Sequence, residues 1–155
     1  MAVKPYLGLV SGNEQDDRRG LRVFVAPSSG DADWVELTSS EQPAVRVSAL
    51  DLQQAQRART RIRSDADVAV VLDITVLVAE DYRSAYRGMT AVQSDAPESV
   101  QYVGTVDGLA GLVADIFVAG VADGVTLIPA TPHQDVRVLA TAMLARIADR
   151  LTIAA

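Results

Sequence analysis

Residues 67–79 read Asp-Val-Ala-Val-Val-Leu-Asp-Ile-Thr-Val-Leu-Val-Ala, and this run constrains the fold more than any other. Its density of β-branched side chains marks a strand, because such residues pack well on a pleated surface. The run is almost continuously apolar, so both of its faces must be buried, as in a parallel sheet flanked by helices. Asp73 interrupts it. A carboxylate in a central strand is costly unless it is hydrogen-bonded. The commonplace expectation is therefore a structural hydrogen bond to Asp73 rather than a catalytic role.

The segments around this strand read as helices and one further buried strand. Before it, Ser48 or Asp51 is placed to cap a helix whose contact stripe holds Leu52, Ala55, Ala58, Arg59 and Ile62. After it, Glu80 and Asp81 suit the positive end of a helix dipole and open a helix with Tyr82, Ala85, Tyr86 and Met89 on one side. Residues 93–100 read as loop. Thr105 caps a helix over 106–119, with Leu109, Leu112, Val113, Ile116 and Phe117 as its buried face. Gly120 fits a left-handed C-terminal cap. Asp123-Gly124 turns into a short buried strand, 125–128, which Pro129 ends. Gln134 or Asp135 opens the last helix, where Val136, Leu139, Met143, Ile147 and Leu151 recur at helical spacing.

The first third is different. Short apolar runs at 5–10, 21–26, 32–37 and 44–47 read as strands separated by turn residues or by the polar stretch 14–19. No convincing helix lies between the early ones, so hairpin pairing is favoured over parallel crossovers, which need a dozen or more residues. The chain reads as one α/β domain over 1–155, with a strand-rich N-terminal third.

Charge and composition close off several functions. The net charge is -6, which repels phosphate backbones, so nucleic acid is not an expected partner. The densest basic group, Arg57, Arg59, Arg61 and Arg63, reads as the solvated face of a helix. The chain has no cysteine, which excludes disulfides, thiolate metal sites and thiol nucleophiles. The first residues lack the apolar core of a signal peptide, and no run is long enough to span a membrane, so a cytoplasmic protein is expected.

Three segments resemble the C-terminal part of luciferase-like flavin-dependent monooxygenases, especially the actinobacterial type that uses FMN or deazaflavin F420. They are 49–63 with the strand through Glu80, then Tyr102-Val-Gly-Thr-Val-Asp-Gly-Leu-Ala110, and then Ala122-Asp-Gly-Val-Thr-Leu-Ile-Pro129. Val106 stands where that family usually has a proline at the helix start. The resemblance covers roughly 48–150 and implies a flavin- or F420-dependent oxidoreductase on a (β/α)8 barrel, a fold of typically about 250 residues. At 155 residues the chain would keep an incomplete, partial TIM-barrel-like β/α sheet with open edges. Self-association as a homodimer, completion by a partner, or repacking of the N-terminal strands would answer that exposure, and self-association is favoured.

In such a fold, chemistry sits at the C-terminal ends of the strands. That rim would include Glu80, Asp81, the helix start at Gly104-Thr105 and the loop 129–133. Gly104 and Thr105 are the candidates for holding a cofactor phosphate, although capping is the commoner use of such a threonine and Asp107 already supplies negative charge. His133, the only histidine, is the candidate general base, weighed against an exposed bystander in a loop. A single histidine makes no metal site. Trp34, Tyr6 and Phe24 either line a pocket or fill the core. Two functions follow: a shortened luciferase-like oxidoreductase acting on an unidentified small molecule, or a non-catalytic binding or structural subunit of the same descent. On the physics of what such a short barrel lacks, the second is the expected present activity.

Overall fold

The computed structural model describes residues 20–27, 33–81, 83, 84, 87, 99–132 and 134–154. The expected strand at 5–10, the polar stretch 14–19 and the helical face of Tyr82, Ala85, Tyr86 and Met89 lie outside them.

The described chain is a mixed α/β structure built on a six-stranded sheet with three helices. The strands are β1 (Arg22–Val25), β2 (Val35–Glu36), β3 (Ala44–Val47), β4 (Ala69–Val78), β5 (Val100–Gly104) and β6 (Gly124–Pro129). The helices are α1 (Leu52–Asp65), α2 (Val106–Val118) and α3 (Val136–Ala154). The sheet is curled into a half-barrel.

β4 organises it. One edge pairs with β6 in parallel, from Val71 opposite Gly124 to Val76 opposite Pro129. The other edge carries two parallel partners in series: β3 along Ala69–Leu72 and β5 along Ile74–Val78. Beyond β6 lies β1, also parallel, and β2 closes that side as an antiparallel edge. The early hairpin expected from the sequence is β1–β2, with β2 trimmed to two residues.

All three helices pack on one face. Val23, Val25, Leu72, Ile74, Val76, Val125 and Leu127 of the sheet join Ala55 of α1, Leu109, Val113 and Ile116 of α2, and Leu139, Met143 and Ile147 of α3 in one buried cluster. The period-two alternation of the strands therefore assigns odd positions of β1 and β6, and even positions of β4, to the helix side. Leu151 is not among the described side chains.

The caps follow the sequence closely. Asp51 rather than Ser48 caps α1, accepting from the Gln54 N–H at 2.8 Å. Thr105 caps α2 through the Gly108 N–H, and Gly120 takes the left-handed conformation at φ 74°. Asp135 rather than Gln134 caps α3, accepting from the N–H groups of Arg137 and Val138.

Two expectations need correction. Val100, assigned to loop, begins β5. Its five residues carry too little apolar signal alone and gain strand form by pairing with the second half of β4, along which β3 does not extend. The arginine group on α1 is not simply a solvated face. Arg57 and Arg61 are exposed, but Arg59 and Arg63 both reach the Asp123 carboxylate, at 3.0 and 3.1 Å. Asp123 also accepts the Val70 N–H, so one carboxylate ties α1 to the starts of β4 and β6.

Candidate functional site

Because β1, β6, β4 and β5 run parallel, their C-terminal ends lie along one rim, while β3 ends opposite Leu72 in the middle of β4. Ligands of open α/β sheets bind outside such ends, where loops diverge and helix starts supply N–H groups. A cleft of about 640 Å³ opens there between the ends of β1 and β6 and the start of α3. A cavity of that size suits a small molecule. Val25, Ala26, Pro27, Val35, Pro129 and Pro132 give it apolar walls, and Asp33, Gln134, Asp135 and Arg137 give it polar edges.

The walls follow from local chemistry. Pro27 and Pro129 stand at strand ends, where the missing N–H costs no ladder bond. Asp33 takes the left-handed conformation at φ 56°, which aspartate tolerates better than most residues. Gln134 turns its side chain to accept the Val78 N–H at 2.8 Å, fastening the start of α3 to the end of β4. Arg137 is exposed and forms no salt bridge with a described residue.

The sequence-based candidates divide. Gly104 pairs with Val78 and so sits on the same rim, but neither it nor Thr105 lines the cleft. Both are used structurally: Tyr102 packs its hydroxyl end against Gly104 and Gly108 and donates to the Thr105 carbonyl at 2.9 Å. His133 lies outside the described residues, while its chain neighbours Pro132 and Gln134 line the cleft. Asp81 accepts from the Ser84 N–H at 2.7 Å and from its hydroxyl, and the bond from that N–H holds its carboxyl below the usual carboxylate range.

These caps bear on a flavin. FMN and F420 carry phosphate, which favours free N–H groups at a helix start. At the rim, Asp81, Thr105 and Asp135 each already supply an acceptor to the turn they open. Asp107 adds a carboxylate to the first turn of α2. A phosphate would compete with these oxygens and be repelled by the carboxylates, leaving Arg137 as the one cationic group among the described residues that line the cleft. The described residues do not make a phosphate cradle. Among the described residues no group of acids or histidines is arranged to hold a metal ion.

Sequence reasoning missed a second polar assembly, on the sheet face away from the helices. Arg46 donates to buried Asp73 at 2.7 Å, and Ser48 donates to the same carboxylate at 3.0 Å. The Arg46 guanidinium lies 5.9 Å from the Trp34 ring centroid. Trp34 stacks on Phe24 with centroids 4.3 Å apart and planes 14° from parallel, and its indole N–H donates to Thr126 at 2.9 Å. Arg22 lies over Phe24 and is bidentate to Glu36. That hydrogen bonding holds the Glu36 carboxyl below its usual range. The signal was in the alternation: Arg22, Phe24, Asp73 and Thr126 are out of phase with the core residues.

No protein-family model matches the chain, and no curated protein matches it.

Proposed function

We propose that the chain is a relative of the luciferase-like flavin-dependent monooxygenases that serves as a small-molecule binding or structural subunit rather than as an oxidoreductase. The observation that carries this reading is the rim cleft. It has the place and size of a ligand site, yet its described lining offers carboxylates, an amide and a guanidinium, with no hydroxyl or amine. The curled parallel sheet with helices on one face supports descent from a (β/α)8 barrel. The occupied helix caps favour binding without a phosphate-bearing flavin.

Titration of the purified protein with FMN and with F420 tests the reading. Neither should bind at micromolar concentration. Micromolar binding of either, weakened in Arg137→Ala or His133→Ala, would restore the oxidoreductase. A fragment screen by amide NMR tests the cleft itself: shifts should cluster at Val25, Ala26, Gln134, Val136 and Arg137.

Self-association belongs to the same reading. The outer edges of β3 and β5 pair with no described strand, and Val45 and Leu50 nearby are exposed. Sheet edges of this kind pair with further strands or must be covered. Light scattering should give twice the chain mass, and a monomer at high micromolar concentration would remove this part of the proposal.

A further inference from the structure

Trp34 occupies its place in the way a bound ring would. One ring lies against it at stacking distance, Phe24 at 4.3 Å. A guanidinium, Arg46, stands 5.9 Å from its centroid. A single acceptor, the Thr126 hydroxyl, takes its ring N–H at 2.9 Å. The surroundings are fixed independently of Trp34. Phe24 and Thr126 sit opposite each other on paired strands, and Asp73 pairs with Thr126 on the next strand. Asp73 and Ser48 then hold Arg46 in position.

The segment that delivers Trp34 is anchored just after it, where Arg22 and Thr38 hold Glu36 and the Leu37 N–H donates to the Val23 carbonyl. β2 is two residues long, Asp33 before Trp34 has a positive φ, and Val35 after it is 38% exposed. Asp33 and Val35, on either side of Trp34, also line the rim cleft.

We propose that the slot between Phe24, Arg46 and Thr126 is a binding site for a planar aromatic ring bearing a ring N–H, and that Trp34 is its built-in, displaceable occupant. An incoming ring keeps the stack, the cation–π contact and the hydrogen bond that Trp34 makes. Trp34 then leaves the slot while Arg22 keeps Glu36 on β1. This assignment does not depend on the ancestry proposed above.

The full-length Trp34→Ala variant, titrated with indole, tests it. Indole should bind this variant by calorimetry and raise its melting temperature toward that of the wild type, which should respond several-fold less. 1-Methylindole, which lacks the donor, should bind several-fold more weakly, and Thr126→Val added to Trp34→Ala should weaken indole to a similar degree. A folded Trp34→Ala variant that responds to indole no differently from the wild type overturns the slot. So does indole binding that is indifferent to both N-methylation and Thr126→Val. Should Trp34→Ala fail to fold, the wild type decides. Trp34 is the only tryptophan, so its emission reports the site directly. Saturating benzimidazole should shift that emission to the red as the indole is released, and unchanged emission overturns displacement.

Discussion

Asp73 shows what one misplaced-looking residue can reveal. The strand around it demands apolar side chains, and its carboxylate is only 2% exposed. It is tolerated because Arg46 and Ser48 satisfy both oxygens. Removing one partner of a buried ion pair leaves the other charge without compensation. Asp73→Ala should therefore cost about 3–5 kcal/mol, read as a lowered urea midpoint. A second carboxylate predicts a pH dependence. Glu36 is held below its ordinary value of 4.5, chiefly by the hydrogen bond from Arg22. Its contribution is thus complete above the unfolded value and is lost as pH falls through the lower folded value. Below about pH 4.5 the wild type should lose stability faster than Glu36→Gln, and equal slopes would remove this role. The sequence shows that Asp73 needs a hydrogen bond. It does not show Arg46 as the donor, because ion-pair partners 27 positions apart leave no local pattern. For the same reason Ser48 was open as a helix cap when its hydroxyl in fact serves Asp73.

At the scale of elements, periodicity made most of the architecture legible. β3 was located to the residue, and α2 and β6 to within a position or two, because apolar spacing and caps agree there. β5 escaped because its strand character comes from β4 rather than from its own residues. The rim cleft escaped because it joins β1 to α3, which are far apart in sequence. Gly104 and Thr105 were legible as a helix start, and capping is the use the structure makes of them. Two glycines separate element contacts of different hardness. A side chain at Gly124 would run into the backbone carbonyl and Cβ of Arg22 on β1. Gly124→Ala should cost about 1–3 kcal/mol, since two paired strands must part. At Gly108 the obstacle is the side chain of Tyr102, whose hydrogen bond to the Thr105 carbonyl is worth about 0.5–1.5 kcal/mol, and alanine in a helix regains about 0.8–1.0 kcal/mol over glycine. Gly108→Ala should be nearly neutral in thermal melts, and a drop equal to that of Gly124→Ala would contradict the difference.

For the whole molecule, protection against solvent should follow the order of the sheet. β4 is paired on both edges and almost wholly buried, and β6 lies between β4 and β1. Local opening is rarest where backbone bonds are shielded on every side. Amide hydrogen exchange should be slowest at Val70–Val76 and Val125–Leu127 and fastest at Val35 and Glu36. Slow exchange at β2 would mean that the Trp34 segment is held more firmly than its two paired residues indicate.

The pairing of β1 with β6 also sets the order in which the protein can be made. Among the described strands, β1 has only β2 and β6 as neighbours, and β6 begins at Gly124. During synthesis β3, β4 and β5 can associate early, while β1 waits for roughly a hundred further residues to leave the ribosome. Until then β1 and the β6-facing edge of β4 are both unsatisfied, and exposed edges of this kind recruit other chains. A message cut short before the codon for Gly124 should therefore yield an aggregating product, even though it encodes every other described strand.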